Sequence, residues 1–374
     1  MKNPFPIKVI PHDAPFCNRE KEQRELLDYA QNKTHVVVFS PRRFGKTSLV
    51  KRVQHQAAQD GMVTIYTDLF GLSSTDDIAG RIAKSIYERL YQHKTVFKKT
   101  IALFQSFRPV MRPTPDGVSM SVEAVPRNIS GIELLEKTME DLGAFIATSK
   151  APVHIVLDEF QEITELKDPQ IEGILRKHIQ EHQASYFFVG SRRRILLDMF
   201  TTRKRPFFQS AFLYKIDELP EDELKGFLTD NFEKAGKKCP GDVASALVET
   251  VSCHPYYAQK LAYTLCQIPH KIIRVKDVKE GFQSMIQSEA PVFESILLGL
   301  APQQIALVKA VAKEPSPSLL SANYMNKHQL KSVGGVQAAL KKLMQQDLVE
   351  KVDNNIWTVV DPVFGKWLNG YSIF

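Results

Sequence analysis

Through residues 1–220, short β-branched and aromatic runs alternate with longer stretches of helical periodicity. That alternation is the signature of strands and helices in a parallel α/β sheet. The runs Val36 to Phe39, Val63 to Asp68, Val153 to Leu157, Tyr186 to Val189 and Phe212 to Ile216 predict its strands. Between the second and third, Phe107 to Val122 reads as an inserted hairpin: Asp116-Gly117 is a turn dipeptide, and Val118, Met120 and Val122 alternate after it. From Glu221 the strand signals stop, and helical stretches such as Asp222 to Ala235 and Val243 to Val251 replace them. After about Pro291 the pattern changes again. A helix over Gln303 to Ala312, a short one near Asn323, a stronger one over Val336 to Gln346, then Leu348 to Val352 and Ile356 to Val360 outline a winged helix. The expected organisation is therefore an α/β core over 1–220, a helical lid over 221–290 and a winged helix over 291–374.

Composition changes little in that picture. Hydrophobic residues are 43% and charged residues 24%, so the chain is expected to fold throughout. No apolar run suits a signal peptide or a membrane span, and a cytoplasmic protein with no membrane partner is the expectation. Cys17, Cys239, Cys253 and Cys266 have no metal-ligand spacing and read as reduced packing residues. A net charge of +7 suits a polyanion partner but equally suits a protein that binds only nucleotides.

Candidate chemistry is concentrated at strand ends. The first strand runs into Ser40-Pro41-Arg42-Arg43-Phe44-Gly45-Lys46-Thr47, and Ser48 onward continues as a helix. This is a phosphate-binding loop of the Walker A type, except that Ser40 replaces the usual first glycine. Backbone amides at a helix N-terminus cradle phosphates, the lysine reaches the β and γ oxygens, and the hydroxyl ligates Mg2+. Gly45, Lys46 and Thr47 fit those roles. The apolar strand Val153 to Leu157 ends in Asp158-Glu159, as a Walker B element requires. Asp158 is placed in the Mg2+ shell with Thr47, and Glu159 is assigned to orient and polarise the attacking water, with Glu162 as fallback base. ATP and Mg2+ are the implied cofactors, with Lys46 and Asp158 meeting across adjacent strand ends. In ATPases with a catalytic glutamate after Walker B, the following strand inserts beside the P-loop strand, which makes Ser191 the candidate γ-phosphate sensor, with Arg192 close behind. Arg203-Lys204-Arg205 lies where ring-forming relatives supply an arginine finger to a neighbour, and Arg205 is the candidate.

With these motifs in hand, the chain resembles the archaeal-type ATPases of the STAND class, signal-transduction ATPases related to AAA+ proteins. The resemblance rests on Phe16-Cys17-Asn18-Arg19-Glu20, on Pro41 to Thr47, on Leu157 to Gln161, and on His254-Pro255-Tyr256-Tyr257-Ala258-Gln259. It implies that Phe16, Asn18 and Arg19 border the nucleotide base and that Pro255 brings the lid toward the nucleotide. Cys253 stands where a glycine commonly precedes His-Pro.

The last predicted helix puts Val336, Leu340 and Leu343 on one face and Gln337, Lys341 and Gln345 on the other, as a recognition helix would. It holds no arginine, and residues 301–374 carry eight lysines against five acidic residues, so phosphate contact is allowed rather than forced. The reading is an ATP-binding, slowly hydrolysing switch that couples ATP or ADP state to an unknown protein partner or to homo-oligomer assembly. The alternative is an initiator-like or transposition-regulator-like protein that sets the winged helix on double-stranded DNA.

Overall fold

The computed structural model describes residues 3–7, 10, 14, 16–91, 104–114, 117–125 and 128–370. Its residues divide into two compact units, one formed by 19–40 and 46–216, the other by 1–18, 41–45 and 217–374.

The first unit is built on five parallel strands: β1 (Val36–Phe39), β2 (Val63–Asp68), β5 (Val153–Asp158), β6 (Ala184–Gly190) and β7 (Phe212–Lys215), in the order β2-β5-β6-β1-β7. A parallel sheet must be covered on both faces, and its central strands are accordingly buried end to end. The period of two divides their side chains. Val37, Ile155, Leu157, Tyr186 and Phe188 face one core together with the helices Thr75–Tyr91, Gly131–Thr148, Pro169–Glu181 and Arg193–Thr201. Helices Glu20–Gln31 and Lys46–Gln59 pack beside each other and against strands of the same sheet.

The inserted hairpin is present as β3 (Phe107–Thr114) and β4 (Gly117–Ala124), paired antiparallel from Phe107 with Ala124 to Thr114 with Gly117. Its strands extend past the expected end at Val122; Asp116 of the expected turn lies outside the described residues. The hairpin is fixed at its base: Tyr87 donates its hydroxyl to the Phe107 carbonyl at 2.6 Å, and the buried Asp141 carboxylate accepts from the Ser106 amide at 2.8 Å and its hydroxyl at 2.5 Å.

In the second unit, helices Glu221–Lys234, Gly241–Thr250, Pro255–Cys266 and Val275–Leu298 share one hydrophobic core with Pro302–Lys313, Ala322–Lys327, Val333–Gln345 and the two-stranded β8 (Val349–Lys351) and β9 (Trp357–Val359). The change of pattern at Pro291 falls within a helix. Pro291 lies inside the Val275–Leu298 helix, although an internal proline costs about 3 kcal/mol or more. Burial of Met285, Ile286, Glu289 and Phe293 on either side of it keeps the helix whole. Tyr257 donates to the Asp361 carboxylate at 2.6 Å, and Asp361 caps the helix Pro362–Leu368 through the amides of Val363 and Phe364, both at 2.9 Å. On Val333–Gln345, Val336, Ala339 and Leu343 are buried while Gln337, Lys341 and Gln345 are exposed; Leu340 is half-buried. No described helix is long and apolar enough to cross a membrane.

Three histidines, the buried His154 and His254 and the half-buried His182, are neutral because loss of hydration pushes their pKa values down, to about 3, about 3 and about 4. The unfolded value is near 6.5, so below it the unfolded chain takes up protons that the folded chain refuses. This contribution to stability is complete above about pH 6.5 and is lost as pH falls toward the folded values, at about 1.4 kcal/mol per pH unit per histidine. Urea denaturation across this window is expected to show that slope, and His154→Gln to reduce it by one proton. An unchanged slope in the variant would remove His154 from the account.

Candidate nucleotide site

Lys46 begins the helix that follows β1, so the first amides of that helix point toward the end of the parallel sheet, where a phosphate gains from both the free N–H groups and the helix dipole. Two residues of the preceding turn have left-handed backbones, Arg43 at φ 66° and Gly45 at φ 84°. Ser40 is not among the left-handed residues. The first loop position therefore makes no demand that only glycine can meet, and the serine is accommodated. Ser40 instead accepts from the buried Lys46 ammonium through its carbonyl at 2.9 Å and its hydroxyl at 3.1 Å.

Strands β1 and β5 are not neighbours, contrary to the expectation of adjacent strand ends. β6 lies between them, pairing with both, as its insertion beside the P-loop strand requires. The sheet nevertheless brings the two motifs together. Thr47 Oγ1 donates to Asp158 Oδ2 at 2.9 Å, Tyr66 Oη donates to the same oxygen at 2.5 Å, and the Glu159 amide donates to Asp158 Oδ1 at 2.9 Å. Burial raises the Asp158 pKa despite those donors, and it raises that of Tyr66 further, with the Asp158 charge adding to it. Tyr66 had no motif to announce it; its register partner on β5 is Val156, two positions before the aspartate.

The oxygens of Thr47 and Asp158 suit a hard divalent cation. Two adjacent ligands of an octahedral ion with bonds of about 2.1 Å stand about 3.0 Å apart, close to the 2.9 Å separation observed. An all-oxygen pair with one buried carboxylate matches the chemistry of Mg2+.

Glu159 has a left-handed backbone, φ 52°, and leads into the 3-10 turn Phe160–Leu166. Its Oε2 accepts from Gln161 Nε2 at 2.5 Å and from Ser191 Oγ at 3.0 Å. Ser191, expected at the γ-phosphate, is thus bonded to the candidate base. Gln161 is fully buried, and a Cβ on Gly190 would fall 2.0 Å from its Oε1, so Gly190 makes room for the amide that holds Glu159. The sequence offered Gln161 only as the last letter of a motif. Arg192 is bound by Glu162 and, at 2.5 Å, by Glu165; Arg205 is bound by Glu172 at 2.5 Å and lies 3.6 Å from Asp198. Both arginines, and the fallback base Glu162, are engaged in ion pairs of this chain's own surface.

The remaining candidates lie around the N-terminal segment and the loop. Arg19 is buried, with φ 73°, and pairs with Glu22 at 2.7 Å. Phe16 is half-buried, Cys17 Sγ donates to the Glu223 carbonyl at 3.8 Å, and Asn18 has φ 49°. Pro41 is half-buried, Arg42 exposed, and Ser48 buried in the first turn of its helix. Within the second unit, Arg43 donates to Glu289 Oε2 at 2.9 Å and stacks 4.3 Å over the Tyr256 ring, while Phe44 meets His254 edge-on at 4.7 Å. Glu289 is buried and also accepts from Lys260 and, at 3.1 Å, from Tyr256. Pro255 opens the helix that carries Tyr256 and Lys260, and Cys253 before it has φ 54°, a backbone for which glycine would be less strained. Tyr256 entered only as part of the His254 to Gln259 motif, and Glu289 and Lys260 were not singled out in the sequence, since a lone acid in a helix gives no signal of what meets it.

Comparison with known proteins agrees with this geometry. The family described as "ATPase domain predominantly from Archaea" matches residues 16–256, and one described as "Probable winged helix domain" matches 291–370. No curated protein matches the sequence. Among solved structures, the Walker-type ATPase PABY2304 of Pyrococcus abyssi has TM-score 0.69 at 16% identity, over 98% of this chain and 99% of that one. The ORC2 protein of Aeropyrum pernix, solved as ADPNP-ADP complexes, has TM-score 0.61 at 14% identity, over 98% and 95%. At such identities the likeness is one of fold. With the Walker A and Walker B residues meeting on the expected sheet, and with the family model spanning most of the chain, this protein belongs to the ATPase domain family found predominantly in Archaea, joined to a C-terminal winged helix.

Proposed function

We propose that the protein is an ATP-operated switch of the STAND type, hydrolysing slowly and passing its nucleotide state to the winged helix. The observation that carries this reading is the double attachment of the phosphate loop. Gly45 is followed directly by Lys46 and Thr47, which meet the Asp158 strand, while Arg43 is clamped to Glu289 on the helix that continues into the winged-helix region. A triphosphate drawn onto the loop amides pulls on a residue whose side chain is anchored in the unit that carries the winged helix. Nucleotide occupancy and the Arg43–Glu289 contact are thereby linked through five residues of chain.

In the hydrolytic step, Lys46 leaves Ser40 for the β and γ oxygens. Glu159, held by Gln161 and Ser191, orients water in line with the γ-phosphorus and takes its proton. The new P–O bond forms as the bond to the β-bridging oxygen breaks, leaving ADP and phosphate. A Mg2+ ion held by Thr47 and Asp158 would neutralise charge on the β and γ oxygens. The domain roles that follow are an α/β core for catalysis, a helical lid over 221–290 carrying the His254-Pro255 turn, and a winged helix over 291–374 for output.

A second reading has its own observation: Lys331, Gln337, Lys341, Lys342 and Gln345 are all exposed on or beside the Val333–Gln345 helix, a polar and basic face able to reach phosphates. Under it, ATP promotes assembly on duplex DNA. Salt titration of duplex binding separates the two, because contact with several phosphates makes affinity fall steeply with salt; no binding at low salt removes the DNA reading.

Lys46→Ala is expected to abolish ATP binding, and Glu159→Gln to bind ATP while lowering turnover about 10²- to 10⁴-fold. Wild-type turnover in Glu159→Gln would show that the base has been misassigned. Gln161→Leu is expected to lower kcat about 10- to 100-fold with KM for ATP little changed, because it frees the base from its place without touching the phosphate loop. A change confined to KM would place Gln161 in nucleotide binding instead.

A further inference from the structure

Away from the nucleotide site, the helices Gly131–Thr148 and Pro169–Glu181 pack side by side and bring three metal-ligating side chains together. Glu136 and Glu140 stand one helical turn apart on the first, so they share a face. His178 comes from the second. One ligating atom from each of the three lies within 4.8 Å of the other two, with His178 Nε2 4.0 Å from Glu136 Oε1.

The histidine distinguishes this group from an ordinary acidic surface. His178 is only 5% exposed, and its Nε2 is buried with no hydrogen-bond partner. A buried polar nitrogen without a hydrogen bond is costly, and this one faces two carboxylates that do not bond it. Two like charges at i and i+4 are also mutually unfavourable. A cation among the three atoms removes both penalties.

We propose that Glu136, Glu140 and His178 form a binding site for a divalent transition metal, with Zn2+ the best-fitting ion. The geometry requires little movement. Ligands on a tetrahedral ion with bonds of about 2.1 Å stand about 3.4 Å apart, so His178 Nε2 and Glu136 Oε1, 4.0 Å apart, close by roughly 0.6 Å, and no pair of the three, all within 4.8 Å, closes by more than about 1.4 Å. A glutamate rotamer adjustment supplies that. The donor set of one imidazole and two carboxylates selects against Mg2+ and Ca2+, which take oxygen ligands, and suits Zn2+, for which imidazole is a good ligand. Three protein ligands leave one position for water, and a cleft of about 410 Å³ bounded by Glu140, His178 and Glu181 gives it access. Loss of hydration lowers the His178 pKa, with the Lys177 charge adding to it, so the ring offers a neutral nitrogen at pH 7.

The cation's place beside Glu136 is taken by Lys177, whose ammonium donates to Glu136 Oε1 at 2.8 Å. Lys177 is 55% exposed and can swing into water, so metal and lysine compete for one carboxylate. An ion bound there ties together two helices that cover the same face of the sheet.

The test uses the full-length protein, freed of metal by chelation and without nucleotide. Zn2+ binding is measured by calorimetry, and Co2+ binding by its visible absorption. Divalent ions can also enter at Thr47 and Asp158, so all arms are run in Asp158→Asn as well. The expected result is a Zn2+ equivalent that persists in Asp158→Asn, weakens at least tenfold in Glu136→Gln/Glu140→Gln, and shows one imidazole ligand by X-ray absorption. The double variant changes surface positions and is expected to keep its melting temperature without metal, which keeps the test sound if His178→Gln fails to fold. Zn2+ affinity unchanged in the double variant, or no Zn2+ bound by Asp158→Asn, would overturn the proposal.

Discussion

The contact on which the rest of the site depends is the 2.9 Å bond from the Thr47 hydroxyl to the Asp158 carboxylate. It joins the start of one helix to the end of a strand two positions away in the sheet, 111 residues apart in sequence. Neither residue can be brought there by local structure. Parallel pairing of β6 with both β1 and β5 sets the distance, and burial of all three strands on both faces holds the register against slipping. Helix dipole, carboxylate and hydroxyl then converge at the carboxyl ends of the central strands, where ligands collect in open α/β folds.

Around that contact, buried polar groups hold one another, while Gln161 Oε1 has no hydrogen-bond partner among the described residues. Tyr66 and the Glu159 amide complete the hydrogen bonding of Asp158, and Gln161 with Ser191 fixes Glu159. In a region of low effective dielectric such fixed donors matter more than in water, and an unmatched one would be costly. Gly190 is required by this arrangement, because the Gln161 amide occupies the space a side chain would need. Glu159 itself has a left-handed backbone, strain held where geometry is decided by function.

Within the second unit, buried Glu289 plays the corresponding organising part. It gathers Arg43, Lys260 and Tyr256, and these interactions hold its pKa below the usual range even though burial works against them. A buried carboxylate with several donors is robust while they all remain and costly when one departs.

Much of the architecture was legible from residue order alone. The short β-branched runs Val63 to Asp68 and Val153 to Leu157, the helical period after Glu221, and the Gly45-Lys46-Thr47 and Asp158-Glu159 strand ends are local patterns, and local sterics with hydrophobic burial are enough to produce them. The order of strands, the insertion of β6 between the two motif strands, and the contributions of Tyr66, Gln161, Glu289 and His178 came only from tertiary structure. Pro291 illustrates the limit: its missing N–H argues for an ending, yet packing on both sides carries the helix through. Short-range patterns record what a residue prefers, while partners distant in sequence are chosen by how sheets and helices close over a shared core, which no single stretch of chain encodes.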